Sequence, residues 1–282
     1  MLDVDWSGEW RKRREEYFWT RRLKEKGMSN EDYWDRYPDE LCAEHRKYAG
    51  YPGAVLERIK PFVHPQARVL DIGAGDGAYT IPLAERAAEV TAVEPSSGQV
   101  RRLLKNAAGR QNIRVVNRRW EEVEREELST YDLVLAAYCF GMPDIKEALQ
   151  KMLDCTRGVL FLVHYGGSSL ESTYASFIPD YRPSPDYIYL YNILYQLGAK
   201  ANVELITRRY LYPWALLEKV WRHDHDLTTE QARRAQATLK ERGELVAEED
   251  GSLWVKCWYR DAVIWYLRED LHKARSRESA RG

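Results

Sequence analysis

Residues 69–78 read Val-Leu-Asp-Ile-Gly-Ala-Gly-Asp-Gly-Ala, and no other stretch constrains the chain as strongly. An apolar run ends in an acid, and glycines then alternate at Gly73, Gly75 and Gly77. A helical pattern follows at once in Tyr79, Ile81, Leu83, Ala84 and Ala87. This predicts a buried strand turning sharply into a helix, with glycines where a ligand must approach the backbone. The ligand of such a loop is nucleotide-like and rests against a helix N-terminus.

Two nucleotide classes compete for it. Gly73-x-Gly75-x-x-Ala78 satisfies the dinucleotide fingerprint, and Glu94 lies 21 residues past Gly73, where a ribose-binding acid falls. Asp71 points the other way, because it would set a carboxylate beside a pyrophosphate. The extra Gly77 makes the pattern D-x-G-x-G-x-G, and an acid there suits a ligand with a positive amino group.

On these residues the chain resembles the class I S-adenosylmethionine-dependent methyltransferases. Their first motif corresponds to Val69–Gly77, and their second, an acid closing the next strand, to Val90-Thr-Ala-Val-Glu94-Pro95-Ser96. The resemblance covers about residues 66–165 and continues in outline to the end of the sheet. It implies a three-layer, Rossmann-like α/β fold with a seven-stranded, mostly parallel sheet and an antiparallel last strand. It also implies S-adenosylmethionine as cofactor and S-adenosylhomocysteine as product. A dinucleotide enzyme stays open as the other reading of the loop.

The pattern from Ala67 onward agrees with alternating β and α elements. Strands are expected at 67–72, 89–94, 112–117, 131–137 and 157–164, and helices near 77–87, 97–107 and 144–154. Residues 186–198 read as a helix closed by Gly198, with Leu190, Ile193, Leu194 and Leu197 as its core stripe. Ala201–Tyr210 is expected as strand six, and Ser252–Tyr266 to contain strand seven. The organisation is a helical cap over 1–60 and a core over 61–282, with 165–186 and 211–250 as insertions over the acceptor side. In the second insertion Pro213 opens one helix, and Thr228 with Gln231 forms a capping box for another that stops near Gly243.

The resemblance also distributes roles. Asp71 would favour the cofactor's amino group, while Gly73, Gly75 and Gly77 admit its methionine and ribose portions. Glu94, followed by Pro95, would accept from both ribose hydroxyls. The turn Asn117-Arg118-Arg119-Trp120-Glu121 takes the adenine place, with Trp120 as wall and Arg119 beside it. It departs from the family's commoner acid followed by a small residue. Ala137 and Tyr138 stand where the methionine end meets the acceptor, in a segment lacking the Asn/Asp-Pro-Pro-Tyr/Phe signature of exocyclic and amide nitrogen methylation. If the acceptor must lose a proton, His164, Tyr138 and Tyr165 are the expected bases. Tyr187, Tyr191 and Tyr195, at helical spacing, are expected to line the acceptor pocket, and Tyr48 and Tyr51 to belong to a lid.

Charge and cysteines exclude several classes. Forty-three bases against 44 acids do not favour broad phosphate neutralisation, so a small-molecule acceptor is expected rather than nucleic acid. Residues 11–26 carry eight bases and three acids, while 31–44 carry six acids and Arg36, which predicts two segments neutralising each other. Four scattered cysteines offer neither a zinc site nor a disulfide framework, and His223-Asp224-His225 is an incomplete metal set at a solvated helix end. No apolar run is long enough to span a bilayer, so a cytoplasmic enzyme without membrane attachment is expected, and a homodimer stays open. The N-terminal bases and the basic tail His272–Arg281 keep an RNA or protein acceptor as the alternative. A third reading is a cofactor-binding sensor or scaffold without catalysis.

Overall fold

In the computed structural model, which describes residues 4–268, helices α1 (Trp6–Glu16), α2 (Phe18–Glu25), α3 (Asn30–Arg36), α4 (Asp39–Ala49) and α5 (Gly53–Ile59) precede the sheet. The alternating part runs β1 (Arg68–Ile72), α6 (Thr80–Ala84), β2 (Glu89–Val93), α7 (Ser97–Ala107), β3 (Ile113–Val116), β4 (Tyr131–Ala137), α8 (Ile145–Cys155) and β5 (Thr156–Ser168). The remainder is α9 (Glu171–Phe177), α10 (Tyr187–Gln196), β6 (Asn202–Pro213), α11 (Trp214–His225), α12 (Thr229–Glu241), β7 (Leu245–Ala247) and β8 (Leu253–Leu267). The basic tail His272–Arg281 lies outside the described residues.

The sheet order is β3-β2-β1-β4-β5-β8-β6, parallel from β3 to β5, with β8 antiparallel to both its neighbours. This is the expected mixed sheet with one addition, the short β7, which pairs with β8. Strand side chains alternate between two cores. Leu133, Leu135, Phe161 and Val163 pack on one face, and Val134, Ala136, Leu160 and Leu162 on the other. The second face is covered by α8 and by α10, whose Leu190, Ile193 and Leu194 are buried as their spacing predicts. Helix α6 is shorter than expected because Gly77, at φ +92°, lies outside helical geometry.

A third core lies outside the sheet. It joins Leu23, Tyr33 and Leu41 of the N-terminal helices to Phe177, Trp221 and Leu239 of the two insertions. The upper halves of β6 and β8 pair from Arg208–Tyr259 to Pro213–Trp254 and carry this roof past the sheet's carboxyl edge. The Thr228–Gln231 capping box forms, with both reciprocal bonds present.

The two oppositely charged segments do not neutralise each other as expected. Glu31 pairs with Arg119 and Asp39 with Arg102, while Asp35 accepts from Ser96 Oγ at 2.7 Å and Gly98 N at 2.8 Å. The bases of α2 go elsewhere, with Arg22 pairing with Asp226 across the roof. Helix α3 is thereby docked on α7, and the cap closes over the carboxyl ends of the strands.

Candidate functional site

A cavity of about 770 Å³ lies between the carboxyl ends of the strands and the roof, within the range of ligand sites. Its floor begins at the glycine loop. Gly73 N and Ala74 N donate to Val93 O at 2.8 and 3.2 Å, which fastens the turn to the neighbouring strand. A Cβ on Gly73 would fall on the Cβ of Cys139, so glycine lets the loop after β4 close against the turn. A Cβ on Gly75 would meet nothing within 4 Å, and its φ of +56° favours glycine at the edge of open cavity.

Glu94 closes β2 beside this turn, 6% exposed. Its Oε2 accepts from Gly75 N and its Oε1 from Ser96 N, both at 2.9 Å. Burial raises its pKa above the usual carboxylate value, against the two backbone donors. One acceptance at each oxygen leaves lone-pair capacity for a diol. Gln99, from the start of α7, lines the same wall, and its buried Oε1 has no partner among the described residues. An orphaned acceptor beside a carboxylate is a place for a hydroxyl or amino donor.

Residues 69–158 match the family model of the methyltransferase domain. A Haemophilus influenzae protein of uncharacterised activity is 26% identical over 179 residues, 61% of this chain and 65% of that one. A 23S rRNA (uracil-C5)-methyltransferase from Halomonas elongata is 53% identical over 49 residues, 17% of this chain and 10% of its own. The chain thus spans less than two thirds of the length of these curated relatives. A Bacillus halodurans structure, assigned as a methyltransferase, shares the fold at TM-score 0.56 and 14% identity, over 76% of this chain and 97% of its own. So does an Anabaena variabilis structure, assigned as a methyltransferase from an antibiotic biosynthesis pathway, at TM-score 0.52 and 18% identity, over 74% and 95%. Residues 69–158 thus carry a methyltransferase domain, set in a fold that the chain shares with these structures.

Gly73, Gly75, Glu94, Pro95, Arg119, Trp120, Ala137 and Tyr138 line the cavity, and so do His164 and Tyr165. Asp71 and Gly77 are not among the lining residues. The Asp71 carboxylate is buried beneath the turn, where it accepts from Thr80 Oγ1 at 2.6 Å, and burial pushes its pKa up to about 7. Gly77 instead makes room for helix packing, since a Cβ there would stand 2.9 Å from Ile81 Cδ1. Trp120 combines two roles, lining the cavity while its indole N–H donates to Ala148 O at 3.2 Å.

The three expected bases differ in what they have free. Tyr138, at φ +56°, donates its hydroxyl to Asp261, and Tyr165 donates to Glu171. Burial is the first cause raising the pKa of both phenols, and the neighbouring carboxylates add to it, so they remain protonated donors. His164 is buried, with Nε2 at 2.9 Å from Pro185 O. Because a carbonyl only accepts, Nε2 carries the proton and Nδ1 presents a lone pair. That Nδ1 has no partner among the described residues. Burial holds the His164 pKa down to about 4, against the Pro185 bond.

The expected aromatic row is elsewhere. Tyr187 and Tyr191 pack against the lower core, and Tyr195 is 43% exposed. Helical spacing puts them on one face of α10, but that helix docks beneath the sheet, away from the cavity. Aromatic lining comes instead from Phe18 and Trp19 of α2, Tyr33 and Trp34 of α3, Tyr174 of α9 and Trp221 of α11. Of the two lid tyrosines, Tyr51 lines the cavity, whereas Tyr48 packs on Tyr212 and Trp254. His223-Asp224-His225 is not a solvated helix end. Asp224 accepts from Tyr33 at 2.7 Å within the roof, and among the described residues no group of three or more His, Cys, Asp or Glu could hold a metal. Nor is any described helix long and apolar enough to cross a membrane.

Residues that sequence reasoning missed tie the halves together. Buried Asp261 on β8 takes Arg208 of β6 in a bidentate pair, at 2.6 and 3.0 Å, as well as the Tyr138 hydroxyl. Arg208 also donates to Ala49 O at the end of α4. Their separation of 53 residues left no local signal.

Proposed function

We propose that the chain transfers the methyl group of S-adenosylmethionine to a small-molecule acceptor held under the roof, as a cytoplasmic enzyme. The supporting observation is that one cavity runs from the glycine loop and Glu94 to His164 and the aromatic roof. The residues present fit the cofactor. Glu94 has capacity for the ribose hydroxyls, Gln99 Oε1 lacks a donor, and open space lies over Gly75. Trp120 and Arg119 would stand on the adenine side, with Arg119 held by Glu31 of the cap.

When bound, the cofactor supplies a methyl group already activated on a sulfonium. The chain's task is then to hold the acceptor in line and keep water out. Cys139 Sγ, 3.1 Å from Ile72 O, helps fix the floor beside Tyr138. The roof rings exclude water above it, and His164 Nδ1 can accept a hydrogen bond or proton from the acceptor. A roof of rings favours a compact ligand over an RNA or protein segment, which would need a way in past it.

Calorimetric titration with S-adenosylmethionine and S-adenosylhomocysteine, on wild type and Glu94→Ala, tests this reading. Binding should weaken by about 1.5–3 kcal/mol in the variant, as for a charge-assisted bond. Failure of both ligands to bind wild type would return the dinucleotide reading to the front.

A further inference from the structure

Four arginines line the cavity. Three are matched, Arg46 with Asp76, Arg119 with Glu31 and Arg208 with Asp261. Arg14 is not. Among the described residues no carboxylate or carbonyl meets its guanidinium, whose recorded contact is the face of Tyr17 at 5.4 Å. Burial disfavours its charge and holds its pKa below the usual arginine value. A partly desolvated cation, in a cavity whose three other arginines are neutralised, lacks an anion.

Its position says where that anion would sit. Arg14 lies one turn beyond Trp10 on α1, and the buried Trp10 ring is 5.6 Å from that of His164. A Cβ on Gly141 would stand 3.4 Å from Arg14 Nη2. The loop after β4 therefore meets the glycine turn at Cys139 and Arg14 at Gly141, so the cation lies on the acceptor side. Beside it, His164 Nδ1 is a second group without a partner, and one that can only accept.

We propose that the acceptor is an aromatic carboxylate bearing a hydroxyl or amino group. Its carboxylate takes the guanidinium fork of Arg14, its ring lies against Tyr17 and its neighbours, and its hydroxyl or amino group donates to His164 Nδ1. This rests on the methyl-transfer reading and deepens it. The matched arginines are already neutralised by the protein, so Arg14 is the cavity arginine left for a ligand. A carboxylate there would also remove a positive charge that disfavours protonation of His164.

The test is titration of the full chain, saturated with S-adenosylhomocysteine, with benzoate, 4-hydroxybenzoate, 4-aminobenzoate and indole-3-carboxylate. Their amides and phenyl phosphate serve as controls. At least one acid should bind more tightly than its amide by about tenfold or more, as for a charge-assisted bond. Arg14→Gln should abolish that preference, and Arg14→Lys should keep part of it, with S-adenosylhomocysteine affinity unchanged in both. Without ligand, Arg14→Gln should melt no lower than wild type, because it removes an uncompensated charge. Acids and amides that bind equally, a preference that survives Arg14→Gln, tighter binding of phenyl phosphate, or no binding of any acid would each overturn the proposal. Those outcomes leave the methyl-transfer reading intact as long as S-adenosylhomocysteine binds, whereas its failure to bind counts against that reading itself.

Discussion

At the glycine loop the wall of the cavity is backbone, fastened by Gly73 and Ala74 to Val93 and by Gly75 to Glu94. At the roof the wall is made of side chains from α2, α3, α9 and α11, brought together from opposite ends of the chain. The first half comes from residues within about 25 positions of one another, and the second needs the whole fold before any part of it exists. What joins them is the buried group of Asp261, Arg208 and Tyr138, touching β8, β6 and the loop after β4.

Breaking that joint should have the largest effect. Asp261 is fully buried and the Arg208 side chain only 12% exposed. Arg208→Met leaves the carboxylate buried without its partner, which costs about 3–5 kcal/mol of stability. Chemical denaturation should report that loss, and calorimetry a weaker affinity for S-adenosylhomocysteine, because the Asp261 carboxylate that accepts from Tyr138 would lose the guanidinium that fixes it. The double variant Arg208→Met with Asp261→Asn should recover part of the loss. A variant that loses stability but keeps its affinity would show the halves to be independent.

Acidity separates the halves next. Asp71 titrates near 3.8 in the unfolded chain and at about 7 in the fold. Between those values the folded protein holds a proton that the unfolded chain has released, so its contribution is complete below about pH 4 and lost as pH rises through 7. The gap corresponds to about 4 kcal/mol. In the roof, burial holds His225 at about 3 against 6.5 in the unfolded chain. There the unfolded chain holds the extra proton, so stability rises with pH across that window and is lost on acidification. Melting curves from pH 4 to 7.5 should show Asp71→Asn gaining on wild type as pH rises. His225→Asn should gain as pH falls, and slopes of the same sign in both variants would contradict the assignment.

The same division explains what the sequence revealed. Glu94 could be placed because its distance from the glycine turn is set by one strand–helix–strand unit. The sheet followed from apolar runs that bury both faces, as Leu133 and Val134 do on opposite sides. Arg208 and Asp261 carry no pattern, since only the β6–β8 register makes them neighbours. Opposite charge in residues 11–26 and 31–44 was real, but adjacency in sequence did not make them partners. Asp35 found the start of α7 and Arg22 found Asp226. A helical period fixes which residues share a face and not what that face meets, which is why the tyrosines of α10 were misplaced.

Those tyrosines supply the smallest effect and the sharpest check on the roof. Tyr195 is 43% exposed, on the helix whose Leu190, Ile193 and Leu194 face the lower core. If the acceptor wall is the roof, Tyr195→Ala should change stability by no more than about 0.5 kcal/mol, as an exposed substitution does. Its affinities for S-adenosylhomocysteine and for the aromatic acids should match wild type. Trp221→Ala should instead weaken the acids without touching the cofactor, because that ring lines the cavity from above. A large loss of acid binding in Tyr195→Ala would mean that α10 moves to meet the acceptor, and the floor and roof could no longer be treated as the two walls of the site.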